Sequence, residues 1–304
     1  LSYTMMNNTD VRINNLGTVA GDQGSYALRV DLAQLSKYNS GAFGTTVSEI
    51  QWSIVPDDQT VKLALKVMLD GPFVPATERM HDSLRVAGLL PANDPYPGLG
   101  YAYPTALNAN MPASMTMMTG DNAIVDWVVV ELRDQNDPVD IVYSQPGLLQ
   151  RDGDVVGTDG TWPLPVAVDP GAYHIAVRHR NHLGIMTASS VELSGTPALV
   201  DLTAPNTGAY GTDARHALGN KMLLWCGNVT FDGVVKYTGA TNDRDPILVR
   251  VGSTTPNNVA TGYWCEDVNM DGKVMYTGAN NDRDPILQVI GGTAPNTVRI
   301  GQLP

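Results

Sequence analysis

Two short acidic stretches near the C-terminal end carry the residues best suited to chemistry. In the second stretch, Asp267, Asn269 and Asp271 place oxygen side chains at alternate positions, and Gly272 follows. Oxygen ligands at positions 1, 3 and 5, with glycine at position 6, are how a short loop wraps a hard cation. The position-7 carbonyl would come from Lys273. Because the loop offers neither His nor Cys, the spacing predicts calcium rather than zinc.

The first acidic stretch repeats this arrangement with weaker ligands. Positions 1, 3, 5, 6 and 7 are held by Asn228, Thr230, Asp232, Gly233 and Val234. Calcium affinity rises with the charge of the ligands, so we expect the second stretch to bind its ion more tightly. Two calcium ions per chain are therefore expected.

Both stretches belong to a longer internal repeat. Residues 225–259 return without gaps as residues 264–298, and 22 of the 35 positions are identical. Such identity at a fixed period indicates two copies of one structural unit. An apolar run stopped by glycine predicts a short helix at the end of each copy.

The last carboxylate of each loop must come from outside the standard position. An EF-hand loop carries it at position 12, where this chain has glycine in both copies. The candidates lie just downstream: Asp282 and Asp284 in the second copy, Asp243 and Asp245 in the first. In each copy the second of these aspartates precedes a proline, which favours an N-cap at the start of the helix. The alternative interpretation is a pair of Asx turns with capped helices and no metal.

The two cysteines of the chain occupy equivalent positions in the two copies. If the copies pack about a pseudo-two-fold axis, Cys226 and Cys265 could meet and form a disulfide, which would stabilise the fold by roughly 4 kcal/mol. The alternative is two buried thiols in matching pockets.

A third acidic group lies further towards the N-terminus. Asp152, Asp154 and Asp159 could hold one more calcium ion, although turns alone also explain them.

No catalytic constellation is recognisable, and we expect a protein that is not an enzyme. The chain has no G-x-S-x-G, H-E-x-x-H or glycine-rich phosphate loop. His179 and His182 form an H-x-x-H pair, which we interpret as the polar end of a hairpin rather than a zinc site. Asp126 and Glu131 are five residues apart in a predicted strand. They therefore point to opposite faces and cannot act as a glycosidase pair.

Composition limits the partners. The net charge of −12 argues against nucleic acid and anionic membranes, because both attract positive surfaces. No run of 18 apolar residues occurs, so we expect no membrane insertion.

Strand patterns dominate the middle of the chain. Residues 61–69 alternate between apolar and other side chains, and residues 123–134 are apolar on both faces. Further short strands extend to about residue 203, with turns expected at Gln145-Pro146 and Asp152-Gly153. One helical stretch, residues 80–88, interrupts the strands and ends at Gly88. We therefore predict a mostly β fold: an antiparallel β-sandwich of Ig-like or jelly-roll type at 59–203, followed by the duplicated calcium module at 204–304. Residues 1–58 are either a separate small β unit or extra sandwich strands.

Several strings together resemble a known group of proteins. These include VMLDGPF, MHDSLRVAGLLP, LLQRDGDVV, AVRHRNHLGIMT and DVNMDGKVMYTGANNDRDPIL. They are similar to the C-terminal region of large secreted surface proteins of Bacteroidetes that are described as hemagglutinin-like or adhesin-like. The duplicated loops are also similar to dockerin repeats, from which they depart by the glycine at position 12.

The resemblance implies a secreted, extracellular cell-surface protein exported by type IX secretion, with no known chemistry. We accordingly expect a structural or adhesive role, with self-assembly into a filament or surface layer, or binding to other surface proteins or glycans. The alternatives are a binding module for a glycan or a cohesin-like receptor, and an ancillary part of a secreted hydrolase. If the chain polymerises, residues 1–20 could pair with the open sheet edge of a neighbouring copy.

Overall fold

The longest apolar run of the chain forms the centre of the main sheet. The computed structural model describes residues 26–30, 52–56, 60–104 and 109–304. The strand Ile124–Asp134 is buried on both faces along all but its last residue. Successive side chains of a strand point to opposite faces, so a strand that is apolar throughout must be covered from both sides.

A hairpin near the N-terminus belongs to a unit of its own. Strands β1 (Tyr26–Val30) and β2 (Trp52–Pro56) pair antiparallel, and residues 1–59 form one compact unit while residues 60–304 form another. The two strands agree with the expectation of β structure within residues 1–58. The proposed pairing of residues 1–20 with a neighbouring copy lies outside the described residues.

Antiparallel strands build the larger unit. They are β3 (Thr60–Lys66), β4 (Phe73–Val74), β5 (Arg79–Met80), β6 (Ile124–Asp134), β7 (Ile141–Gln150), β8 (Asp154–Val156), β9 (Leu164–Ala167), β10 (Gly171–His179), β11 (His182–Met186), β12 (Val191–Leu193) and β13 (Ala198–Asp201). In the described part of the chain, nine of them form the main sheet in the order β11-β10-β6-β7-β8-β3-β13, with β12 beside β10 and β9 beside β3. In this sheet β13 pairs with β3 in parallel, and the other pairs among its described strands are antiparallel. Strands β4 and β5 form a separate ribbon.

The main sheet has a separate apolar core on each face of β6. Val128 and Val130 belong to the larger core, together with alternate residues of β3, whereas Trp127 and Val129 belong to the smaller one. Strand β12 also lies against β3 and β13, so the sheet is curled and encloses the larger core. The fold is mostly β and is consistent with the predicted sandwich.

Two local predictions are corrected. A turn was expected at Gln145-Pro146, but β7 continues through both residues and Pro146 pairs with Val129 of β6. Strand β8 pairs only with Leu148 and Leu149 of β7, so the other edge of β7 is open at Pro146 and the missing amide hydrogen costs little there.

The helix expected at 80–88 is also shorter than predicted. It is α1 (Ser83–Val86), a single turn that follows the ribbon strand β5. A second helical turn is α2 (Ala113–Thr116), and 3-10 turns occur at Pro97–Leu99 and Gly120–Asn122. Among the described residues, no helix has the length and apolar character needed to cross a membrane.

Short elements form the C-terminal part. They are β14 (His216–Leu218), β15 (Lys221–Leu223), β16 (Val234–Lys236), α3 (Arg244–Arg250), β17 (Val259–Thr261), β18 (Lys273–Met275), α4 (Arg283–Val289) and β19 (Val298–Ile300). We call residues 60–224 the sheet body and residues 225–304 the repeat module. Both lie in one compact unit, so the boundary expected between residues 203 and 204 falls inside it.

The two copies in the repeat module are interlocked. Strand β16 of the first copy pairs with β19 of the second, and β18 of the second pairs with β17 of the first. Helix α3 of the first copy likewise packs against β18 of the second, and α4 of the second packs against β16 of the first. One apolar core is shared between them, with Ile247 and Ile286 buried in it. Neither copy could therefore fold in this form without the other.

The sheet body and the repeat module pack tightly against each other at Gly71. A Cβ atom there would lie 2.2 Å from the carbonyl oxygen of Val268, which is a backbone atom that cannot swing aside. We expect Gly71→Ala to lower the free energy of unfolding by about 1–3 kcal/mol, as overpacking does. The matched control is Gly98→Ala, because a Cβ at Gly98 meets nothing within 4 Å. Chemical denaturation of both variants checks this, and equal stability of the two would contradict it.

Candidate metal centre

The second loop arranges its polar atoms around Asp267. This side chain is completely buried, and its two oxygens accept hydrogen bonds from the amides of Asp271 (3.1 Å) and Gly272 (2.8 Å). Asn269 Oδ1 accepts from the amide of Asp271 at 2.9 Å, and Asp271 Oδ1 accepts from the amide of Lys273 at 2.9 Å. These bonds tie the side chains of positions 1, 3 and 5 to the backbone of the loop. The Lys273 side chain is exposed, which leaves only its carbonyl as a candidate ligand.

Asp282 returns to this loop from downstream. Its Oδ1 accepts from the amides of Val268 (2.7 Å) and Asn269 (3.3 Å), and its Oδ2 accepts from Met275 (2.7 Å). The amide of Asp282 in turn donates to the carbonyl of Met275 at 2.9 Å, so residues 276–281 form a closed excursion. Because of this excursion, Asp282 can supply the carboxylate that an EF-hand loop carries at position 12.

The first loop has the same geometry. Asp243 accepts from the amide and hydroxyl of Thr230, each at 3.1 Å, and from the amide of Lys236 at 2.8 Å. Asn228 Oδ1 accepts from Gly233 at 3.2 Å. Asp232 Oδ1 accepts from the amide of Val234 at 2.9 Å. Each of these bonds except that of the Thr230 hydroxyl has its counterpart 39 positions later.

Asp284 and Asp245 lie apart from these contacts. Each is about half exposed and pairs with the arginine that precedes it, Arg283 (3.2 Å) or Arg244 (2.8 Å). The helices begin two residues earlier than predicted, and Asp282 and Asp243 occupy the N-cap positions without capping them through their side chains. Those side chains turn back to the loops instead.

Burial strongly perturbs the carboxylates of the loops. Desolvation raises the pKa of Asp282 to about 8, and the nearby charge of Asp267 adds to the effect. Desolvation also raises the pKa of Asp267 to about 7 and that of Asp243 to about 6. Burial therefore disfavours the charged form of each of these carboxylates, and the positive charge of Arg180 offsets part of the effect at Asp267.

The candidate ligand atoms in each loop are all oxygens, and such a set fits calcium chemically. Within the described residues, however, no three His, Cys, Asp or Glu side chains gather closely enough to form a metal-binding group. The loop oxygens instead accept bonds from backbone amides. Asp282 Oδ1 and Asp243 Oδ1 each accept two such bonds, whereas Oδ2 of both residues accepts one and keeps a lone pair available.

The third acidic group, at residues 152–159, lies beside a lysine of the same chain. Lys66 Nζ lies 2.7 Å from Asp154 and 3.9 Å from Asp152. Asp159 accepts a bond from the amide of Thr161, which is ordinary turn geometry. This arrangement favours the interpretation as turns.

The disulfide between Cys226 and Cys265 is not formed, and both cysteines are free. The Cys226 thiol lies 3.6 Å from Asp70 Oδ2 in the sheet body. Burial raises the pKa of both thiols. The sheet body breaks the symmetry of the two copies, so the cysteines do not meet across the pseudo-axis.

A buried polar hairpin end lies next to both loops. Residues 179–182 connect β10 to β11, and all four side chains are buried. Asp126 of β6 accepts from Arg180 Nε at 2.9 Å and from the Tyr263 hydroxyl at 2.6 Å, and it contacts His179 Nε2 at 3.1 Å. Burial raises the pKa of Asp126, but Arg180 and His179 outweigh it and lower the pKa to about 2.

The hydrogen bonds assign the protons of both histidines. The amide of Gly71 donates to His182 Nε2 at 3.1 Å, so His182 carries its proton on Nδ1. That nitrogen lies 3.0 Å from His179 Nδ1 and 2.8 Å from Asn181 Oδ1. His179 then donates from Nε2 to Asp126. Both rings are neutral and fully occupied by protein partners, as expected of a structural hairpin end.

Sequence reasoning identified this pair of histidines as a hairpin end but missed its burial and its position between the loops. The charged and polar residues of R-H-R-N-H indicated only the polar end of a hairpin. The apolar residue at position 4 of each loop, Phe231 or Met270, was the available signal that the loops pack against something.

Comparison of the chain with protein-family models, curated proteins and solved structures found no match. The resemblance to surface proteins of Bacteroidetes therefore stays a prediction. The function must be argued from the geometry of the loops and of the sheet body.

The neutral histidines make stability depend on pH. Burial lowers the pKa of His179 and His182 in the folded state, whereas the unfolded chain takes up protons near pH 6.5. The unfolded state thus binds more protons below that pH, so stability decreases as the pH falls through 6.5.

We expect His182→Gln, which cannot take up a proton, to lose less stability than the wild type between pH 7 and pH 5.5. The difference in slope should approach about 1.4 kcal/mol per pH unit for one proton. Urea titrations at fixed calcium check this, since effects shared by both proteins cancel. Parallel slopes would show that these rings do not control the acid sensitivity.

Proposed function

We propose that this chain is a calcium-stabilised structural or adhesive protein of the bacterial cell surface. It would consist of a β-sandwich of Ig-like or jelly-roll type followed by a dockerin-like module with two calcium loops. The observation that carries the proposal is the pair of buried carboxylates, Asp267 and Asp282. Burial disfavours the charged form of both, and the charge of Asp267 further disfavours that of Asp282. Asp243 repeats this need in the first loop.

The ligands of the second loop would be Asp267, Asn269, Asp271, the Lys273 carbonyl and Asp282. A bound calcium ion would neutralise the buried carboxylates, and the oxygens of the loop would all coordinate it. Asn228, Thr230, Asp232, the Val234 carbonyl and Asp243 would take the same positions in the first loop. The first loop has the neutral Asn228 in place of Asp267 and the hydroxyl of Thr230 in place of the amide of Asn269, so it should bind calcium more weakly.

The proposed location suits this chemistry. Extracellular calcium modules bind with Kd values of about 10⁻⁴–10⁻³ M, so they fill only where calcium is abundant. Type IX secretion to the cell surface would place the module there. Assembly into a filament or surface layer, or attachment to surface proteins or glycans, belongs to the same proposal.

The arrangement of reactive side chains supports a role without catalysis. The ring nitrogens of His179 and His182 bind protein partners, and burial makes the Cys226 thiol a poor nucleophile.

A cleft between the sheet body and the repeat module supports the alternative of a binding module. It measures about 660 Å³, which is the size of a small-ligand site. Its lining includes Asp70, His216, Trp225, Gln288 and Arg299. Donors and acceptors of this kind suit the hydroxyl groups of a sugar. A cohesin-like receptor and an ancillary role in a hydrolase rest on the resemblance alone.

Calcium binding tests the main proposal. Calorimetry and native mass spectrometry of the wild type should detect two ions, with the second loop filled first. Asp282→Asn and Asp271→Ala should each weaken the second site, so that only the ion in the first loop binds with its wild-type affinity. Asp284→Asn is the matched control, because it changes the same functional group at an exposed position two residues away and should keep two ions. No uptake at millimolar calcium, or equal behaviour of the variants at positions 282 and 284, would contradict the assigned sites.

The role at the cell surface needs a separate test. Negative-stain microscopy with calcium and with EDTA should show calcium-dependent assemblies. A monodisperse monomer under both conditions would count against assembly. Binding on a glycan array that is weakened by Gln288→Ala would favour the alternative function.

A further inference from the structure

Each loop projects an apolar residue from its fourth position into the sheet body. Met270 is buried and belongs to the larger core. Phe231, its equivalent 39 positions earlier, packs against the smaller core with its ring centroid 6.3 Å from that of Tyr96. Because these cores lie on opposite faces of β6, the two loops reach the sheet from opposite sides.

The ligand positions determine where these residues point. Asn269 and Asp271 flank Met270, while Thr230 and Asp232 flank Phe231. When positions 3 and 5 turn inward, position 4 must turn outward. Both residues have the left-handed backbone conformation, with φ of 57° at Phe231 and 62° at Met270. This conformation costs roughly 1–2 kcal/mol per residue and persists only where the surroundings enforce it.

Asn181 joins the two loops between these points. Its carbonyl oxygen accepts from the amides of Gly227 and Asn228, each at 3.0 Å. Its side-chain amide donates to the carbonyls of Asp267 at 2.7 Å and Cys265 at 3.1 Å. Asn228 and Asp267 are the first positions of the two loops. One residue of the sheet body therefore binds equivalent points of both copies.

The second loop also rests on the segment that contains α1. His81 Nε2 lies 3.1 Å from the carbonyl oxygen of Asn269. The Cα of Gly272 faces Leu89 and Leu84, since a Cβ there would lie 2.8 Å from Leu89 Cδ1 and 3.9 Å from Leu84 Cδ2. These contacts define the part of the sheet body that would report the state of the second loop.

We propose that the two calcium loops act as a fork that holds the sheet body from both faces, with Met270 and Phe231 as its two contact points. Calcium would fix each loop in the shape that presents its fourth residue, and so would couple ion binding to the order of the sheet body. This inference rests on the proposed calcium sites and adds their structural target.

Hydrogen exchange of the full chain, with calcium and with EDTA, tests the fork. Calcium at about ten times Kd should slow exchange about tenfold in residues 81–90, which contact the second loop, and in residues 96–101, near Phe231. Met270→Ala should weaken the calcium effect in 81–90, where the contacts of His81 and Leu89 with the loop remain, and retain it in full in 96–101. Phe231→Ala should do the reverse.

The matched control is Met80→Ala, which removes the same side chain from the same core but leaves both loops intact. It should exchange faster overall and keep both calcium effects. Calorimetry on the same samples separates the two proposals. Two bound ions without any calcium effect in 81–90 and 96–101 would overturn the fork and leave the calcium sites standing. Absence of bound ions would overturn both. If Met270→Ala does not fold, the wild-type comparison and Phe231→Ala still decide the outcome.

Discussion

The arrangement of the whole unit depends on one buried ion pair, between Asp126 and Arg180. Both side chains are fully buried and lie 2.9 Å apart. Burying two charges is favourable only when each is paired and further hydrogen-bonded. The Asp126 carboxylate meets this condition through His179 of the hairpin end and Tyr263 of the repeat module. The central strand, the hairpin end and the module are thus held together at one carboxylate, and breaking the pair would leave an unpaired charge at the junction of all three.

Duplication supplies two equal loops, and the sheet body makes them unequal. Residues 39 positions apart have nearly the same bonds inside the module, as the contacts of Asp243 and Asp282 show. Outside it, Cys226 faces Asp70 while Cys265 binds Asn181 through its carbonyl. A pseudo-symmetric module on an asymmetric support cannot keep equivalent surroundings. This explains why an argument from symmetry alone failed for the disulfide.

Local patterns predicted the elements, whereas long-range contacts decided their environment. The alternation in residues 61–69 and the apolar run around Trp127 were sufficient for two strands, because period and burial are properties of neighbouring residues. The return of Asp282 to its loop could be predicted for the same reason, since it spans 15 residues. The burial of residues 179–182 could not, because Asn181 and Asp267 are 86 positions apart. Nothing local in R-H-R-N-H distinguishes an exposed turn from one enclosed by a distant module.

The repeat module could not be stable as separate pieces. Its helices α3 and α4 have seven residues each, well below the length at which an isolated helix persists in water. Its sheets are two-stranded ribbons, which need further packing as well. Interlocking of the copies provides one apolar core, and the sheet body covers Met270 and part of Phe231. The charge of the buried aspartates is offset only in part, by Arg180 near Asp267. Burial of these groups opposes folding at neutral pH unless a proton or a cation neutralises them, and the proposed calcium ions would meet this need.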